Sequence, residues 1–216
     1  QTGLPAVTAA WVGGAGNSAT SKLYVLGGGH NDSGNNGLYC YDFSGISAPT
    51  GFILKDISAS PTSVRRYDET GNPPGSVANQ YTDGKPWAKH TYGGIVTVDD
   101  KVYLFGGGQY GYGNGAGDVW KFANGAWTRL ADIPGTGNYA GYSYGFNVCL
   151  VHPTTKKVMV YNSGDYKVKF FDTTTDTWVG VATINSGNPK YTNSVYPTVI
   201  YDSARNRVVL FGGTRQ

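Results

Sequence analysis

An imidazole, an amide and a carboxylate follow one another in Gly29-His30-Asn31-Asp32-Ser33. Such a run can hydrogen-bond sugar hydroxyls or offer ligands to a metal; its structural alternative is an Asx-type turn closed by Asn31 and Asp32. Lys89-His90-Thr91-Tyr92 sets a second imidazole two residues from a phenol, and here the structural alternative is a latch in which His90 bonds neighbouring backbone. Tyr142, Tyr144 and Tyr196 recur at equivalent places further along, so an imidazole and several phenols are expected to ring one opening. Gln109-Tyr-Gly-Tyr-Gly-Asn-Gly-Ala-Gly117 adds Tyr110 and Tyr112 on a glycine-flexible strip. Aromatic faces stack on the apolar side of sugar rings and on protein surfaces. The expected binding set is therefore His30, Asn31, Asp32, His90, Tyr92, Tyr110, Tyr112, Tyr142, Tyr144 and Tyr196, with a glycan or protein as ligand.

Other chemistries find less support. A metal needs several converging ligands, and of the three histidines, His152 falls at a turn that leaves on the opposite side from His30 and His90. Neither a metal nor another cofactor is expected. No Ser-His-Asp set and no cysteine nucleophile with its base is legible from spacing. Gly106-Gly107-Gly108-Gln109 lacks a following helix whose N-terminus would hold a phosphate. Arg65-Arg66 with Asp68 and Glu69 can grip an acidic sugar but reads more readily as a self-compensating charge cluster. Asn31-Asp32-Ser33 is also a glycosylation sequon, relevant only along a eukaryotic secretory route.

Composition narrows the partners. Lys plus Arg is 17 against 14 Asp plus Glu, a net charge of +3 with no basic stripe, which argues against nucleic acid. No apolar run approaches the roughly 18 residues that cross a bilayer. The N-terminus lacks a basic region followed by an apolar stretch, so no membrane insertion is expected, and any leader is expected to be gone already or never to have belonged to this sequence. Cys40 and Cys149 are too few for a disulfide framework and are expected to be buried free thiols.

The elements that must position these groups are strands. Among 216 residues there are 33 Gly, 10 Pro and 17 Tyr, a composition of short strands and tight turns within a single domain. Four segments share one layout: Lys22-Leu-Tyr-Val-Leu-Gly-Gly-Gly29, Lys101-Val-Tyr-Leu-Phe-Gly-Gly-Gly108, Lys157-Val-Met-Val-Tyr-Asn-Ser-Gly164 and Arg207-Val-Val-Leu-Phe-Gly-Gly213. Each follows an apolar stretch ending in a turn (Thr8 to Gly13, Gly93 to Val98, Gly145 to Val151, Pro197 to Tyr201), so the pairs read as hairpins. Third strands are expected at Leu38 to Asp42, Asp118 to Phe122 and Lys167 to Asp172, and fourth strands at Phe52 to Ile57, Ala126 to Leu130 and Thr177 to Ala182. The stretch from about Ser58 to His90 is too long and proline-rich for an ordinary turn.

The glycine pair ending a second strand, an aromatic followed by Asp on a third, and a Trp on a fourth resemble the kelch repeat of β-propellers. Phe171-Asp172 before Trp178, and Gly106-Gly107 before Trp127, carry the likeness. The first unit has Phe52 in place of the Trp, and the third replaces the glycine pair with Asn162-Ser163-Gly164. The resemblance implies an all-β fold, a kelch-type β-propeller with three complete four-stranded blades and the inner two strands of a fourth, as part of a six- or seven-bladed ring. Blades are expected over residues 8–58, 92–131, 144–183 and 196–213, with an inter-blade loop over 59–91. Galactose oxidase stands on the same fold, but its copper site needs a cysteine bonded to a tyrosine ring, and Cys40 falls on a third strand away from the channel.

These readings lead to a binding module that recognises a glycan or protein through loops on one face, at a cell or particle surface or in secretion. A carbohydrate-active enzyme (oxidase, epimerase or lyase) with its site at the channel mouth is the second expectation. The third is a structural or decorating subunit of an extracellular or viral assembly, with another chain or the remainder of the propeller completing the fourth blade.

Overall fold

The computed structural model describes residues 12–26, 36–45, 55–56, 80, 83–109, 115–135, 147–162, 167–183, 194–195, 198–211 and 214–215, and all regular structure among them is β. The first sheet is a four-stranded antiparallel meander, β1 (Gly14–Asn17), β2 (Lys22–Leu26), β3 (Leu38–Asp42) and β4 (Lys55–Asp56). The central sheet holds β5 (Lys89–His90), β6 (Ile95–Val98), β7 (Lys101–Gln109), β8 (Gly115–Ala123) and β9 (Ala126–Leu130). In it β5 and β6 pair successive stretches of the long β7. The third sheet runs β10 (Asn147–Val151), β11 (Lys157–Asn162), β12 (Lys167–Asp172) and β13 (Thr177–Thr183). Last come β14 (Ser194–Val195), β15 (Thr198–Asp202), β16 (Arg207–Phe211) and β17 (Thr214–Arg215), paired as β15–β16 and β14–β17.

Period-two alternation explains how the sheets stack. Residues next to each other on a strand face opposite ways, so a strand buried on both sides reads as continuously apolar. Val102, Leu104, Trp120 and Phe122 of the central sheet pack with Ala15, Tyr24, Leu26 and Leu38 of the first. The intervening Val96, Val98, Tyr103, Phe105 and Val119 pack with Val158, Val160 and Phe171 of the third. Each fully buried side chain contributes roughly 1.5–3 kcal/mol. The fourth-strand tryptophans take the space between sheets: Trp127 meets Phe122 edge-on at 5.2 Å, and Trp178 meets Phe171 at 5.1 Å while donating to the Ala131 carbonyl.

The inner hairpins turn in one way. The residue before the second strand, or one short of it, is left-handed in all four: Ser21 (φ 53), Asp99 (φ 53), Lys156 (φ 58) and Asn206 (φ 48). In three of them a side chain at or just beyond the end of the first strand closes the turn. Asn17 Oδ1 accepts the amides of Ala19 and Thr20, His152 Nδ1 those of Thr154 and Thr155, and Asp202 Oδ1 that of Arg205. His152 is thus a turn-closing group, its ring 5.0 Å from that of Tyr201 in the following hairpin with the planes tilted at 58°.

Three expectations are corrected. The first strand of the first sheet is Gly14–Asn17 and not Thr8 to Gly13: Val12 and Gly13 are not in a strand, because the Gly13 amide leaves the sheet to bond Thr91 Oγ1, and residues 8–11 lie outside the described residues. Lys89–His90, placed by sequence in the inter-blade loop, is a strand of the central sheet. Both cysteines are free, but they are half-buried, since each packs against the edge of a core cluster and not within it.

Tyr103 ties the central sheet to the third, its hydroxyl donating to Asp176 Oδ1 at 2.9 Å and to the Thr173 carbonyl. Burial first, and then the Asp176 carboxylate, hold its phenol well above the ordinary 10.0. Above pH 10 the unfolded chain releases that proton and the folded one keeps it, so this contribution is whole below pH 10 and declines as pH rises. Urea unfolding between pH 8 and 11 is expected to show wild type losing up to about 1.4 kcal/mol per pH unit more than Tyr103→Phe above pH 10. Parallel profiles would exclude the phenol as the source.

Candidate functional site

Imidazole, phenol, ammonium and carboxylate come together where β5 joins the central sheet. To reach β5 after passing β6, strand β7 bends at Gly106 (φ 64) and Gly107 (φ 122), and its register with β8 shifts between Phe105 and Gly107. Only glycine suits Gly107: a Cβ there would stand 2.8 Å from the His90 carbonyl oxygen and 3.0 Å from Lys89 Cδ. The repeated glycine pair therefore makes room here for the stem of a buried lysine.

Lys89 Nζ lies 2.5 Å from Asp118 Oδ2, and both side chains are 0 % exposed. The same oxygen accepts the indole N–H of Trp120 at 2.5 Å, whereas Asp118 Oδ1 is buried with no hydrogen-bond partner among the described residues. Burial pushes the Lys89 pKa down, and the charge and hydrogen bond of Asp118 pull it back. Arg129 covers the Trp120 ring at 5.4 Å and pairs with Asp132. From the segment leading into β3, Asn36 Nδ2 donates to the Pro86 carbonyl at 2.7 Å, fixing the chain just ahead of β5.

Between β5 and β6 the chain makes a tight turn. The Gly94 amide bonds the Thr91 carbonyl at 2.7 Å, and Tyr92 is left-handed at φ 45, a conformation uncommon outside glycine and asparagine. Both neighbouring sheets hold it there. Thr91 Oγ1 accepts the Gly13 amide at 2.5 Å, and the Gly93 carbonyl accepts the Cys149 amide at 2.9 Å. The turn presents the Tyr92 hydroxyl 3.4 Å from His90 Nδ1, with the two rings edge-to-face at 5.9 Å.

Of the expected binding residues, the structure brings His90 and Tyr92 together. His30, Asn31, Asp32, Tyr110, Tyr112, Tyr142, Tyr144 and Tyr196 lie outside the described residues, as does the Arg65 to Glu69 cluster. The backbone shows where the connections carrying five of them depart: β2 ends at Leu26 and β7 at Gln109, corresponding ends of equivalent strands. Sequence reading missed Lys89, Asp118 and Trp120. A carboxylate inside the otherwise apolar run Gly117-Asp118-Val119-Trp120 was the available signal. Among the described residues no three His, Cys, Asp or Glu side chains gather as metal ligands.

No protein-family model matches this chain, and no curated protein matches it. What the site can do follows from its own chemistry: a half-buried imidazole and phenol on a braced turn can donate to and accept from hydroxyls or amides and offer ring surface for stacking.

Proposed function

We propose that this protein is a binding module of the kelch β-propeller type that recognises a glycan or protein ligand through loops at the β5 end of its sheets. Successive antiparallel meanders packed face to face, a five-stranded one between two of four strands, support the propeller reading, as do the glycine pair beside Lys89 and the tryptophans between sheets. So does the parallel bridge from Gly93 to Val148, which sets the inner strands of adjacent sheets side by side.

The observation that carries the ligand reading is the His90–Tyr92 pair on a turn whose left-handed backbone is braced from both sides. A strained turn held by its neighbours is a common way to preorganise a binding surface. Holding two polar aromatic groups ahead of binding lowers the ordering penalty, and a sugar or peptide offers hydroxyls, amides and apolar faces that suit them. His90→Ala/Tyr92→Phe is expected to weaken binding to hits from a glycan array and from a cell-surface protein panel at least tenfold, with the melting temperature held within a few degrees. Unchanged affinity for every hit would remove this turn from the binding surface.

A further inference from the structure

Lys89 and Asp118 are matched in charge but not in hydrogen bonds. An ammonium carries three N–H donors, and both oxygens of a carboxylate accept. Lys89 Nζ makes one hydrogen bond among the described residues, to Asp118 Oδ2. That oxygen also takes the Trp120 indole N–H, so both donors that reach the carboxylate fall on the same atom. Oδ1 accepts from no described group, although Asp118 is 0 % exposed. The remaining N–H groups of the ammonium and one carboxylate oxygen are thus unmet within a single buried site.

These groups lie close enough to be served together. The oxygens of a carboxylate share one carbon at about 1.23 Å, so they stand at most about 2.5 Å apart. Nζ is 2.5 Å from Oδ2. Nζ is therefore no further than about 5 Å from Oδ1, a gap that one water spans with two hydrogen bonds of about 2.8 Å. Charge decides the kind of guest. The ammonium repels a cation and the carboxylate repels an anion, while a proton acceptor and a proton donor combined in one small neutral molecule are what water supplies. Ordering one water costs less than leaving hydrogen bonds of two charged groups unmade in the core.

We infer that a water molecule is built into the Lys89–Asp118 pair, accepting from Lys89 Nζ and donating to Asp118 Oδ1. It is an internal water and not surface hydration. Trp120 packs with Leu26 and Leu38 of the first sheet, and Trp87 and Ala88, directly before Lys89, are buried as well. Exchange with bulk solvent waits on an opening between the first and central sheets, so the molecule stays far longer than a surface water. It completes the clamp that holds β5 and, through β5, the turn bearing His90 and Tyr92.

Oxygen-17 relaxation dispersion, which counts waters held for longer than the protein takes to tumble, tests this in solution. Wild type is expected to hold one such water more than Lys89→Met/Asp118→Leu, which removes both of its partners. An equal count overturns the proposal. Should the double variant fail to fold, a crystal structure of wild type alone decides. Density hydrogen-bonded to both Lys89 Nζ and Asp118 Oδ1 is the expected result. Oδ1 packed against carbon, or taken by a protein donor, overturns the proposal. So does a peak with contacts of about 2.0–2.4 Å, which would mark a metal ion.

Discussion

Lys89→Met is expected to destabilise the protein by about 3–5 kcal/mol and Asp118→Leu by at least as much, with the double variant less damaged than either. The ordering follows from what each change strands. Without Lys89, the Asp118 carboxylate keeps the Trp120 indole N–H but loses its counter-charge in a site that is 0 % exposed. Without Asp118, an ammonium and an indole N–H are both left in the core, and the indole alone forfeits about 1–3 kcal/mol. Removing both charges leaves only the indole unpaired. The Asp118→Leu deficit has a ceiling, because Lys89 can shed its proton, which near pH 7 costs about 4–5 kcal/mol.

That escape gives a pH signature. Burial already lowers the Lys89 pKa in the native pair, and the variant lacks the carboxylate that raises it. Between the depressed folded pKa and the ordinary 10.5 the unfolded chain holds a proton that the folded chain lacks, so stability rises with pH across that window. Urea unfolding of Asp118→Leu is therefore expected to gain stability over a wider span of pH below 10.5 than wild type does, while the double variant, without Lys89, shows no such rise. A deficit independent of pH would mean that Lys89 reaches water in the variant and that the pair is no buried clamp.

Strand pairing was largely legible because its signals are local. A basic residue, four apolar positions and a glycine break lie within eight residues, and the hairpin turn sits directly before them. The expected spans of β3, β9 and β12 agree with the structure, and β7, β8 and β13 extend by a few residues. The first strand was misplaced because hydrophobicity pointed to Thr8 to Gly13, whereas Gly14-Ala15-Gly16-Asn17 pairs with β2 on the strength of its turn and carries a single side chain into the core. The site was half legible. His90 and Tyr92 announce themselves by type, but the ion pair that fixes β5 joins residues 29 apart, and a lysine in a proline-rich stretch carries no period to betray it.

Gly13→Ala is expected to lower stability by about 3 kcal/mol or more, although it adds one methyl group. A Cβ at residue 13 would fall 1.9 Å from the Tyr92 carbonyl oxygen and 2.9 Å from Thr91 Oγ1. Neither obstacle can rotate away: the first is backbone in a left-handed turn, and the second is the acceptor of the Gly13 amide itself. The first and central sheets must then separate locally, which breaks that hydrogen bond and loosens the core they share around Leu26 and Leu104. Gly16, three residues on, has nothing within 4 Å of its missing Cβ, so Gly16→Ala is expected to stay within about 0.5 kcal/mol of wild type. Thr91→Val, which removes only the acceptor, falls between them at about 1–2 kcal/mol. Because the obstructed oxygen belongs to Tyr92, Gly13→Ala should also displace the His90–Tyr92 pair and weaken ligand binding, an effect Gly16→Ala lacks. If urea unfolding gave the two alanine variants equal stability, the first sheet would not sit against the Tyr92 turn, and the turn would lose half of the bracing on which the proposed binding surface depends.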